Sequence, residues 1–217
     1  RSYHPQTNHG DGVLPTWLAL SRTEHQVIGH KLGSSKLTSH HQAHQQAFLF
    51  ASDMASGMEV LHRFNPPIFH RDLKSLNLLV THDWHTKVCD FGLSRMKSSD
   101  NLDTLKKMCG TFAYCAPEVF SGQTFSDRSD VYSMGIVLWE IFFRTINGRY
   151  EQPFGEYKFV YDFQIMVKTS EGVRPTIPEA LPEPIKALIR QCILVSCHPL
   201  QTCSLSLGRC RQASHNL

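Results

Sequence analysis

Five polar residues with catalytic reach, His70, Arg71, Asp72, Lys74 and Asn77, fall within the stretch HRDLKSLN, just ahead of an apolar run. A second acid, Asp90, follows in TKVCDF. An amide and a carboxylate side by side offer hard oxygen ligands of the kind that hold Mg²⁺ carrying phosphate oxygens. With Asn77 and Asp90 in that role, Asp72 is left to accept a proton from an incoming hydroxyl. Lys74 then neutralises charge on the group being moved. The set points to phosphoryl transfer, whereas an H-R-D in isolation reads as an ordinary polar loop ahead of a hairpin.

Local structure must bring Asp90 beside Asn77. LNLLV and TKVCDF read as two short strands around the turn His82 to His85, so the start of one strand lies by the end of the other. Upstream, FLFASDMASGMEVLH sets Phe48, Ala51, Ala55, Met58 and Leu61 at helical intervals, and the pair Pro66-Pro67 ends that helix. Downstream, SDRSDVYSMGIVLWEIFF is apolar almost all round between Val131 and Phe143, which predicts a central buried helix capped by Ser129 or Asp130. FVYDFQIMVKT and IKALIRQCI read as two further helices, joined by the turn EGVRPTIPEALPEP.

Residues 1–47 are rich in His, Gln, Ser, Thr and Gly without a sustained period, and read as loose structure; residues 194–217 read as a poorly ordered tail. On a helix His40 and His44 would share a face and could hold a metal. A solvated polar segment is the preferred reading, because no third ligand is placed. The expected fold class is mainly α with a small β-hairpin, its packed unit covering residues 48–193.

A chain of 217 residues suffices for one domain with a true core. Hydrophobic content of 41% and charged content of 19% are ordinary globular usage, which excludes global disorder and fibrous repeats. A net charge of +3, with scattered basic residues, gives no footing for nucleic acid or an anionic membrane surface. Cys89, Cys109 and Cys115 lie singly, and Cys192, Cys197, Cys203 and Cys210 contain no C-x-x-C pair. That is the ligand count of a zinc site without its spacing, so free thiols in a reducing cytosol are expected. No run nears the roughly 20 apolar residues of a membrane-spanning helix. VLPTWLAL is split by Pro15 and has no clear cleavage site after it. A cytoplasmic location is the expectation, and a start at Arg1 reads as a fragment or processed product.

Three motifs in one order carry a family resemblance. HRDLKSLN resembles the catalytic loop of protein kinases, CDFG (Cys89 to Gly92) their metal-binding DFG, and CAPE (Cys115 to Glu118) the end of their activation segment. SDVYSMGIVLWEI is similar to the family's buried central helix, with Asp130 at its start bracing the catalytic-loop backbone. The resemblance covers about Phe48 to Ile193 and implies a truncated C-terminal lobe of the kinase-like fold. It implies ATP and Mg²⁺ as cofactors and protein substrates as partners. Asp72 becomes the catalytic base, Lys74 the phosphate-contacting cation, and Asn77 and Asp90 the magnesium ligands. His70 and Phe91, next to Gly92, become the stacked support of the loop, and Arg71 resembles the arginine that grips an activation-segment phosphate. Ser98, Ser99 and Thr104 are the candidate positions for that phosphate, with an exposed polar loop as the plain alternative. Lys74 and the Gly110-Thr111 pair look like serine/threonine kinases. LKSLNLL, FGLSR and GVRPTIPE look like the tyrosine-kinase-like branch, whose members generally modify Ser or Thr, and dual specificity stays open.

Two regions depart from the family pattern. Residues 1–47 show no G-x-G-x-x-G, strand lysine or helix glutamate of an N-terminal lobe, and IGHKLGSSK is too short and too close to the catalytic loop to stand in for it. Lys31 and Lys36 are therefore not assigned to ATP. After IKALIRQC the family's tryptophan and D-P-x-x-R-P stretch are replaced by Ile193 and a faint HPLQT, which leaves Glu118 without the arginine that usually pairs with it. The expectation is a fragment or mis-spliced product of a longer kinase gene, inactive in isolation. The alternative is a non-catalytic binding module or scaffold derived from a kinase lobe.

Overall fold

Polar residues upstream of Phe48 extend the first helix. The computed structural model describes residues 26–27, 40–96 and 112–194, and its helix α1 spans His40–His62. It therefore starts well before the expected Phe48. Gln and Ala are good helix formers, and a helix anchored by its apolar face propagates through such residues without needing a period of its own. Gln46 Nε2 also donates to Trp84 O at 2.8 Å, tying this extension to the turn of the hairpin. Phe48, Ala51, Ala55, Met58 and Leu61 are all buried, as their spacing predicts.

The hairpin forms with shorter strands than LNLLV and TKVCDF indicate. β3 (Leu78–Val80) pairs antiparallel with β4 (Thr86–Val88), Leu78 opposite Val88 and Val80 opposite Thr86. Ser75–Asn77 is a single 3₁₀ turn instead of a strand start. Two further pairings have no counterpart in the sequence pattern. β1 (Gln26–Val27) lies antiparallel to β3, and β2 (Ile68–Phe69) to β5 (Arg95–Met96). Two-residue strands carry no readable alternation. The β2–β5 pair matters, since it closes the two ends of the segment 70–94 on each other.

A four-residue turn of helix, α2 (Pro117–Phe120), begins on Pro117, where a missing N–H costs nothing. The central helix α3 spans Asp127–Asn147 and ends on Gly148 at φ 68°, whose N–H bonds Arg144 O at 2.8 Å. Its first turn is capped at Ser126, not at Ser129 or Asp130: the Ser126 N–H donates to Ser129 Oγ at 3.3 Å. Val131, Met134, Ile136, Val137, Leu138, Ile141 and Phe142 are buried, so α3 is covered on every side.

Helix α4 (Phe163–Ser170) starts four residues later than FVYDFQIMVKT implies. Helix α5 (Glu183–Ile193) crosses α3 at Gly135, where an added Cβ would meet Cys192 Cβ at 2.6 Å. Arg174 locks this corner. Its guanidinium donates to Ile193 O at 2.6 Å and Thr169 O at 2.7 Å, at the ends of α5 and α4, and lies over the Tyr132 ring. Among the described residues no helix is long and apolar enough to cross a membrane.

Candidate active site

Asp130 holds the loop that carries the polar cluster. Its carboxylate is fully buried, and it accepts the backbone N–H groups of His70 (2.9 Å) and Arg71 (3.0 Å). His62, at the end of α1, contacts the same carboxylate through Nε2 at 2.8 Å. One side chain thus joins α3, α1 and the loop. Arg71 bends the loop there with φ 70°, and its guanidinium packs over the Phe125 ring. The part His62 plays is not legible in the sequence. It lies 68 residues from Asp130, and no motif marks it.

His70 is buried and its ring bridges the two halves of the site. Asp72 N donates to Nδ1 at 3.3 Å, which makes Nδ1 the acceptor and leaves the proton on Nε2, 3.1 Å from Cys89 O. Burial lowers the His70 pKa against the pull of Asp130, so the neutral ring this pattern needs is favoured. Phe91 lies against it with ring centroids 5.2 Å apart. The ring planes are tilted by 57°, so this contact is not the stacked one expected.

Asp72 Oδ2 receives Lys74 Nζ at 2.8 Å and Asn77 Nδ2 at 3.1 Å. Asn77 Nδ2 also donates to Asp72 O at 2.8 Å, which commits its amide hydrogens to Asp72 and turns its Oδ1 away from it. The ladder continues past β3 and β4, with Cys89 N donating to Asn77 O at 2.9 Å, and this places Asp90 next to Asn77 along the sheet, as the hairpin requires. Asp90 is exposed and has φ 65°. A Cβ on Gly92 would lie 3.3 Å from Asp90 Oδ1, so a side chain there would crowd the carboxylate. Among the described residues no group of three or more His, Cys, Asp or Glu side chains could hold a metal ion. A cation at Asn77 and Asp90 would complete its shell with phosphate oxygens and water, the donor set that suits Mg²⁺.

Beneath the loop lies a junction built on the acid of SDVYSMGIVLWEI, to which the sequence pattern assigns no role. Glu140 Oε1 accepts hydroxyls from Tyr114 (2.9 Å), Tyr150 (3.0 Å) and Ser75 (3.2 Å), while Oε2 is buried without a hydrogen-bond partner among the described residues. Burial pushes this carboxyl up to about 7, against the three hydroxyls that favour its charged form. Burial, with Glu140 next, also raises the Tyr114 and Tyr150 pKa values, so both remain neutral donors. Glu118 is half-buried and accepts the Ser129 hydroxyl at 3.0 Å. Among the described residues no ion pair reaches Glu118. Ser98, Ser99, Thr104 and Thr111 lie outside the described residues.

A sequence profile of the protein tyrosine and serine/threonine kinases matches residues 12–198, and the chain belongs to this family. Its relatives divide between the two specificities. Stress-activated protein kinase alpha of Dictyostelium discoideum is 54% identical over 167 residues, covering 76% of this chain and 26% of that protein. A probable serine/threonine-protein kinase of the same organism is 52% identical over 149 residues, 67% of this chain and 18% of that protein. A probable tyrosine-protein kinase from it is 37% identical over 163 residues, 67% of this chain and 46% of that protein. The chain therefore spans less than half the length of each of these relatives. The mainly helical fold with its small antiparallel sheet is that of a kinase C-terminal lobe. The matches define the broad kinase family and do not single out the tyrosine-kinase-like branch.

Proposed function

We propose that this chain carries the catalytic and metal-binding half of a protein kinase site that moves the γ-phosphoryl group of ATP to Ser or Thr of a protein, with Tyr as a second acceptor. In this reading the acceptor oxygen bonds to the γ-phosphorus, the bond to the bridging oxygen of ADP breaks, and the hydroxyl proton passes to Asp72. Lys74 is placed to move from Asp72 to the transferred group. Asn77 and Asp90 would hold Mg²⁺, which neutralises phosphate charge when bound. The observation that carries the reading is the convergence of Lys74 and Asn77 on Asp72 Oδ2, on a loop whose backbone Asp130 holds. A module that only docks partners has no physical use for Asp72, Lys74, Asn77 and Asp90 together.

The test is Asp72→Asn in the longest form of the protein that transfers phosphate. The expected outcome is a loss of about 10²- to 10⁴-fold in rate, the range for a lost general base, with an unchanged unfolding midpoint. Unchanged transfer would remove Asp72 from catalysis and return the binding-module reading.

A further inference from the structure

Two buried carboxyls lie on α3, and they are partnered differently. Asp130 accepts on both oxygens, from two backbone N–H groups and beside the His62 ring. Glu140 takes all three of its donors, the hydroxyls of Tyr114, Tyr150 and Ser75, on Oε1. Its Oε2 is left buried without a partner among the described residues. That division is the one a carboxylic acid makes, with one oxygen that accepts and one that carries the proton. A carboxylate in the same place would spread charge onto an oxygen that no donor meets, and an unmet charge costs more than an unmet hydroxyl. Burial outweighs the three hydroxyls and moves the loss of the proton up to about 7.

No neighbouring charge relieves the ionised form. Arg144, one turn further along α3, acts on the Tyr150 hydroxyl, and among the described residues no ion pair joins it to Glu140. Lys74, next to Ser75, is held by Asp72. On α1 His62 is taken by Asp130, and on α5 Lys186 and Arg190 are taken by Glu183. Relief therefore requires water at Oε2, which enters when one of the meeting elements withdraws. Helix α3 is covered on every side and stays. The 3₁₀ turn Phe112–Tyr114 is tied to α3 a second time, through Ser133 Oγ, which donates to Tyr114 O at 2.7 Å. Among the described residues Ser75 has no such second tie: its hydroxyl meets Glu140 at 3.2 Å and Tyr114 at 3.3 Å, both inside the junction.

We propose that Glu140 is a proton-controlled latch on the Ser75–Asn77 turn: as the acid it keeps Ser75 seated in the junction, and as the carboxylate it releases the turn toward water. The device belongs to the fold and stands apart from the kinase reading; on that reading, the turn it frees is the one that carries Asn77. Linkage sets the direction. A hydrated carboxyl titrates at the ordinary 4.5 and the seated one at about 7, so the open turn gains population as pH rises between these values and levels off above the higher one.

Amide hydrogen exchange on the full 217-residue chain, corrected for the pH dependence of free-peptide exchange, tests the latch. It is read at Asn77 and Leu78, whose N–H groups bond to Lys74 O and Ser75 O within the turn. From pH 6 to pH 8 the opening constant is expected to rise about tenfold, at amides that exchange faster than those in the middle of α3. Glu140→Gln, which cannot ionise, should abolish the rise. Ser75→Ala should abolish it at Asn77 and Leu78, while Ser75→Thr, which keeps the hydroxyl, should retain it. If Glu140→Gln does not fold, the two Ser75 variants decide alone, because a role confined to general stability would move the turn and α3 together. A flat profile in the wild type, a rise that survives Ser75→Ala, a turn that exchanges only in step with α3, or a rise confined to the segment around Tyr150 overturns the latch.

Discussion

Glu140 shows how much one side chain can link. The carboxyl titrates at about 7 in the folded chain against an ordinary 4.5, with burial as the main cause. Between those values the folded state keeps a proton that the unfolded chain has lost, so the Glu140 contribution is present below pH 4.5 and falls away as pH rises through about 7. The difference in pKa is worth about 3 kcal/mol. His70 acts in the opposite sense: its lowered pKa keeps it neutral in the fold, so its contribution is present above pH 6.5 and is lost as pH falls. Total stability therefore mixes two slopes, and the comparison with Glu140→Gln isolates one. The variant should gain on the wild type by about 3 kcal/mol as pH is raised from 4.5 to 8, measured by urea midpoints across that range. A constant gap would show that the Glu140 pKa is the same in the folded and the unfolded chain. The chemistry proposed for the cluster HRDLKSLN is readable residue by residue, because the proposed roles follow from side-chain type. That of Glu140 is not, since Ser75 lies 65 residues away and an acid inside an apolar helix looks like an interruption until its hydroxyl partners are seen.

Among the elements, α3 and α5 are in closest register at Gly135. Alanine would add helix propensity worth about 0.5 to 1 kcal/mol, but its Cβ would lie 2.6 Å from Cys192 Cβ and 2.8 Å from Ile193 Cγ2. Those atoms belong to a helix end that Arg174 clamps through Ile193 O, so they have little freedom to withdraw. Overpacking of this kind costs about 1 to 3 kcal/mol, which outweighs the gain in propensity. Gly135→Ala is expected to lower the urea midpoint, and a raised midpoint would mean that α5 shifts freely. The helices are legible in the sequence because burial repeats every third or fourth residue along α1 and continues unbroken along α3. Their starts are less so: α1 runs back to His40 through Gln and Ala, which propagate a helix without marking its face. The pairings of β1 and β2 leave no sequence trace, because two residues cannot display an alternation and their partners are distant in the chain.

For the whole molecule, the proposed reading makes the described residues the acceptor and metal side of a nucleotide site. Lys74 is the cation beside Asp72, and it is already engaged at 2.8 Å. Kinases cover ATP from the other side with a Gly-rich loop and a strand lysine held by a helix glutamate, and the described residues contain no such set. Contacts through Asn77, Asp90 and Mg²⁺ alone would hold the triphosphate end and leave the base and ribose in water. A site with about half the usual interaction free energy binds near 1 mM, where a complete one binds near 1 µM. Titration of ATP into the 217-residue chain with Mg²⁺ is therefore expected to give a Kd of about 1 mM or weaker, and EDTA should weaken it further. A micromolar, magnesium-dependent Kd would overturn this expectation, because such affinity requires a nucleotide cover from residues outside 40–194, and phosphate transfer by this chain itself would then be the expected behaviour.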